Sequence, residues 1–169
     1  MPLSTTVRGA GAGFLAAVPQ AALGELEERL FLPPGEDADI APRTVHRLVF
    51  LATGHELSRP AKWVLGTAYH FAYGALWGIA YAHARERLRL GPRLGGALLG
   101  GLIYLVTFPR GGLGVLIGAE RPPGARSRRM TFVALSVALG FGLVTAALYE
   151  RFRGGERMSR RHARGRLRR

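Results

Sequence analysis

Between Trp63 and Ala84 the chain runs for 22 residues without a Lys, Arg, Asp or Glu. At about 1.5 Å of rise per residue, such a segment would form a helix roughly 33 Å long, enough to cross the hydrocarbon core of a bilayer. Three more uncharged runs accompany it: Gly9 to Gly24, Leu94 to Phe108 and Met130 to Tyr149. Polar, arginine-rich segments separate them. The pattern predicts an all-α polytopic membrane protein, with four transmembrane helices in a compact bundle over residues 1–152. The spans are expected over 5–26, 63–84, 94–109 and 130–150.

A chain of 169 residues is one domain's worth, and here about half of it would lie in lipid. The net charge of +13 therefore belongs to the connections and the tail. Arg outnumbers Lys by 23 to 1, which beside the abundant Ala, Gly and Leu reads as compositional bias rather than a demand for bidentate recognition. There is no cysteine, so disulfides, thiolate metal sites, palmitoylation and haem attachment through cysteine are excluded.

The first span opens at Ser4 or Thr5, both good caps, and passes Arg8 at the membrane edge. Pro19 predicts a kink, because proline lacks an N–H and clashes with the carbonyl of Leu15. Arg8 before a short apolar run also fits a cleaved signal peptide. The continuation Glu25-Leu26-Glu27-Glu28-Arg29-Leu30 argues against cleavage, since it prolongs the same helix. Pro33-Pro34-Gly35 stops that helix. Glu36, Asp37 and Asp39 follow in a loop that could hold a divalent cation, although such Pro-bounded acids are commonly just solvated, and neither a metal nor another cofactor is expected. A short amphipathic interfacial helix is then predicted over about 42–57, with Val45, Leu48, Val49 and Ala52 on one side.

Orientation follows from the basic residues of the connections. The segment from Glu25 to Lys62 has seven acids against five bases, whereas Arg85, Arg87, Arg89 and Arg93 crowd the next link. Both termini are therefore expected in the cytoplasm. The last connection resists this scheme: residues 110–129 carry five Arg and one Glu, yet four spans place them outside. A re-entrant hairpin over 94–118 and a count of three spans is the alternative.

Every span carries small residues at four-residue spacing: Gly9, Gly13, Ala17 and Ala21; Gly74, Gly78 and Ala82; Gly96 and Gly100; Ala134, Ala138, Gly142 and Ala146. In lipid, close backbone contact through such residues drives helix association, so these are the expected packing positions.

His70 is the first candidate for chemistry. Gly66, His70, Tyr73, Trp77 and Tyr81 follow one helical stripe, and an imidazole at that depth needs a partner. It would act in proton relay or ligand contact, or else bond a carbonyl or Tyr104 across the bundle and fix packing. Haem is disfavoured, since no other span offers a facing histidine. The second candidate is the segment Phe108 to Gly114, where Arg110 with Gly111 and Gly112 could form an anion-binding nest. It fails as a dinucleotide fingerprint, and His55-Glu56 fails as a zinc-protease start because Arg59 stands in place of the second histidine. No enzyme motif is present.

The cytoplasmic tail, residues 153–169, lies in a stretch from Arg151 with nine arginines in 19 residues. It is expected to be disordered and to contact anionic lipids rather than nucleic acid. The glycine-rich first span, the Pro-Pro acidic loop, the second span with Tyr69-His70-Phe71-Ala72-Tyr73-Gly74, and the third ending in Phe108-Pro109 with Gly112-Leu113 beyond resemble the YagU-like bacterial inner-membrane proteins, a family of unknown function. The likeness covers Arg8 to Pro123 and implies a bacterial inner-membrane location and a helical bundle, without a reaction. Taken together, the sequence predicts a structural or accessory role, with packing against itself or a larger membrane complex. The alternative is a small transporter or channel with a polar path through His70, Tyr73 and Arg110.

Overall fold

The structure is a computed structural model describing residues 4–33, 40–122 and 125–166, with 156–166 as backbone only. The acidic loop of Glu36, Asp37 and Asp39 lies outside the described residues. Among those described the fold is all-helical: α1 (Thr5–Phe31), α2 (Ile40–Thr53), α3 (Arg59–Leu88), α4 (Pro92–Thr107), α5 (Leu113–Leu116) and α6 (Arg128–Arg166).

Local signals set most of the helix ends. The Ser4 hydroxyl accepts from the Val7 N–H and starts α1, and Ser58 does the same for Ala61 at the start of α3. Pro92 occupies the first turn of α4, where its missing N–H costs nothing. α1 runs unbroken through Pro19 to Phe31. α2 stops at Thr53 rather than reaching residue 57, because Gly54 takes a left-handed backbone, φ +72°.

The helix α6 continues through Gly154 and Gly155 to Arg166. Once nucleated in an apolar stretch, a helix extends one bond at a time, and the Glu, Arg, Met and Ala beyond Gly155 are adequate helix formers. The two glycines weaken the extension without breaking it.

The four long helices alternate in direction. α1 lies antiparallel to α3 on one side and to α6 on the other, while α4 packs antiparallel against α6. Two of these seams bring backbones together. A Cβ added at Gly78 would stand 2.1 Å from the Gly9 carbonyl oxygen, and one at Gly13 would stand 2.0 Å from that of Gly74. Across α4 and α6, a Cβ at Gly142 would lie 2.1 Å from the Gly96 oxygen and one at Gly100 would lie 2.5 Å from that of Ala138. No larger residue fits at these positions without separating the helices.

Burial is distributed unusually. Nine of the 17 buried apolar residues among those described are alanines, whereas Val64 and Leu76 of α3 are each 68% exposed and Leu105 of α4 is 62% exposed. Phe14 and Val18 of α1 and Phe132 and Leu143 of α6 also face outward. Small residues fill the interior and large apolar ones cover the outside.

Only one helix among the described residues is both long and apolar enough to cross a membrane by length and composition, the Arg128–Gly155 part of α6. α4 is apolar but shorter. α3 falls short because its uncharged stretch includes His70, three Tyr, two Trp and three Gly, and α1 because its uncharged run, Gly9 to Gly24, is 16 residues long and includes Pro19, Gln20 and four Gly.

Candidate functional site

His70 sits where α3 crosses α1. Its Nε2 lies 3.1 Å from the Ala17 carbonyl oxygen, and because a carbonyl only accepts, this contact requires the proton on Nε2. Its partner is thus a backbone carbonyl two residues before Pro19, and Tyr104 is elsewhere. Tyr104 stacks on Phe108 with ring centroids 5.4 Å apart. Tyr73 reaches α4 through the Thr107 hydroxyl at 3.4 Å and meets the Trp77 ring edge to face at 5.9 Å. The expected stripe therefore divides. His70 serves the α1 seam, whereas Tyr73 reaches α4 and holds the Trp77 ring beside it, and Tyr81 meets Tyr149 of α6 at 5.7 Å. Gly66 packs against Pro42 of α2, where a Cβ would stand 2.8 Å from the proline Cα.

Arg110, Gly111 and Gly112 lie in the turn between α4 and α5. Arg110 is exposed and bonds none of the described residues, and open space surrounds Gly111. Gly112 is folded tightly on the Thr107 backbone and begins the single turn of α5. The cation engaged here is Arg126. Its guanidinium donates to the Phe108 carbonyl at the end of α4 and lies over the Phe108 ring, 5.3 Å from its centroid. A free carbonyl at a helix C-terminus attracts a cation, so Arg126 joins the end of α4 to the segment entering α6.

A second arrangement absent from the sequence reading clasps α2 to α5. The Glu120 side chain is 2% exposed and faces Arg43, with Nη2 and Oε2 separated by 3.5 Å. Its other oxygen accepts from the Arg121 N–H at 2.8 Å. One turn along α2, Arg47 Nε donates to the Ile117 carbonyl at 3.1 Å. Gly118 closes the turn with φ +73°, a left-handed backbone that favours glycine, and a Cβ there would press on the Arg47 guanidinium at 3.2 Å. The available signal was Glu120 as the lone acid among five arginines in residues 110–129, together with Arg43 and Arg47 at a helical i, i+4 spacing.

At the opposite end, where α1 begins and α3 finishes, Glu86 gathers three helices. It accepts from the Thr5 hydroxyl at 2.8 Å and the Tyr149 hydroxyl at 3.0 Å, with Arg8 3.9 Å away. The Thr5 hydrogen bond, aided by those from Tyr149 and the nearby arginines and opposed by desolvation, holds its carboxyl below its ordinary range. Arg85 and Arg153 both donate to Glu150, at 3.0 and 3.4 Å, tying α3 to α6.

None of these groups forms a recognisable catalytic constellation. No cluster of three or more His, Cys, Asp or Glu residues suited to a metal occurs among the described residues. No protein-family model, curated protein or solved structure matches this chain.

Proposed function

We propose that the chain is a four-span protein of the bacterial inner membrane with a structural or accessory role, and that it packs against itself or a larger membrane complex rather than catalysing a reaction. The observation carrying this reading is the inverted distribution of side chains. Alanine and glycine occupy the interior while Val64, Leu76, Leu105 and Phe132 point outward, an arrangement costly in water and favourable among lipid tails. Only 39% of the apolar window in α6 is buried, so this helix is not one sheathed by protein, as the core helix of a soluble domain would be.

The charges support an orientation. Segments at the end bearing Arg8, Arg85 to Arg93 and the tail hold 14 basic and three acidic residues, against ten and eight at the other. The positive-inside bias then puts both termini in the cytoplasm. The family resemblance adds the bacterial inner membrane. The basic tail would lie along anionic lipids of the inner leaflet.

The transporter reading gains nothing from the geometry. His70 is engaged by the Ala17 carbonyl, Tyr73 by Thr107, and Arg110 lies exposed beyond the end of α4. Purification in mild detergent, followed by particle-mass measurement, tests the accessory role. A homo-oligomer or a stoichiometric complex is expected, and His70→Ala should loosen that assembly. A lone monomer whose His70→Ala variant folds normally but loses ion or solute flux in vesicles would contradict it.

A further inference from the structure

The arginines near the start of α6 put basic charge at the end that the positive-inside bias assigns outside, and the structure divides them by task. Arg126 is occupied by the Phe108 carbonyl and ring. Arg128 and Arg129, in the first turn of α6, are exposed and make no hydrogen bond or ion pair with a described residue. Their backbone N–H groups have no intrahelical acceptor, because the first turn of any helix lacks them, and the Ser127 hydroxyl accepts from the Met130 N–H.

Between this turn and the last turn of α1 runs an open groove lined by Leu30, Phe31, Arg128, Arg129 and Phe132. Phe31 and Phe132 meet edge to face across it at 6.0 Å. Leu30 is 65% exposed and Phe132 is 58% exposed, so the groove has an uncovered apolar floor with two unpaired cations at its rim. Nearby carboxylates are engaged elsewhere: Glu27 accepts from Ser136 and Glu25 pairs with Arg29.

We propose that this groove binds an anionic phospholipid, with an acyl chain along Leu30, Phe31 and Phe132 and the headgroup phosphate between Arg128 and Arg129. Charge complementarity selects the occupant. A zwitterionic headgroup would bring its own cation against the two arginines, whereas a singly anionic one brings negative charge with no cation beside it. The arginines at this end are then headgroup ligands rather than signals of orientation. The inference rests on the membrane reading above.

The absence of native cysteine allows a single reporter. Thr131→Cys, exposed beside the groove, is labelled with a bimane fluorophore in the full chain. The protein is reconstituted into phosphatidylcholine vesicles containing equal mole fractions of brominated phosphatidylglycerol or brominated phosphatidylcholine. Quenching is expected to be several-fold more effective with the brominated anionic lipid. The double variant Arg128→Gln, Arg129→Gln, with its helical content checked by circular dichroism, should lose that several-fold preference, since both basic groups that attract the anionic headgroup are gone. Equal quenching by both lipids in protein that floats with the vesicles overturns the headgroup site and leaves the membrane reading intact. Protein that fails to float overturns the membrane reading itself, and the site with it.

Discussion

The glycine seam between α1 and α3 and the clasp between α2 and α5 hold helices together by opposite means. In the seam, Gly9 and Gly13 meet Gly74 and Gly78 with backbones so close that no Cβ fits. Its strength is van der Waals contact summed over a long interface, and no particular functional group can be removed to undo it. In the clasp, the joining is done by the ion pair of Arg43 with Glu120 and by the hydrogen bond that Arg47 donates to the Ile117 carbonyl. A seam fails by insertion of volume, and a clasp fails by loss of charge. Helices that must not move carry the first kind, and an outlying helix that touches the bundle mainly through α3 carries the second.

The sharpest way to break this comparison is to add volume. Gly78→Leu should cost about 3 kcal/mol or more, since its Cβ would start 2.1 Å from a backbone oxygen that cannot yield. Gly101→Leu, on the same kind of helix but with nothing within 4 Å of its Cβ, should stay within about 0.5 kcal/mol. Unfolding in mixed detergent micelles measures both. Similar losses from the two variants would show that the seam is no more constrained than the outer surface.

Removing charge should act on the clasp alone and less strongly. Glu120→Gln removes the carboxylate charge that faces Arg43 at 3.5 Å, but the Arg43 side chain is 38% exposed and water recovers much of the difference, so about 1 kcal/mol is expected. The effect should appear as faster amide exchange in α2 with no change in the α1–α3 seam. Acceleration spreading into α1 would mean that the cap and bundle are one cooperative unit.

The smallest effect concerns Glu86. Its folded carboxyl titrates below its unfolded value, so its stabilisation is present at neutral pH and fades as pH falls below the usual carboxylate range. Exchange protection in the first turn of α1, corrected for intrinsic rates, should therefore drop in acid. Glu86→Gln should remove the pH step. A step unaltered in the variant would assign it to another group.

These contrasts also explain what could be read in advance. The small residues at four-residue spacing were visible because helix period turns sequence spacing into a face, but spacing does not name the facing helix. Gly13 could be marked for packing without Gly74 being identified as its neighbour. His70 stood out because an imidazole in an apolar run demands a partner, although that partner, the Ala17 carbonyl, is a backbone atom with no sequence signature. Arg126 and Glu120 were hidden for a different reason. In a chain with 23 arginines no single one is conspicuous, and the connection that folds Arg126 onto Phe108 and Glu120 onto Arg43 has no periodicity to project.

The central claim is that the outward-facing Val64, Leu76, Leu105 and Phe132 belong among lipid tails. Washing membranes from expressing cells at alkaline pH, which strips peripheral proteins, tests it most directly. The account predicts that the full chain stays with the lipid pellet and leaves it only with detergent. Recovery of a folded monomer from the aqueous wash would contradict it.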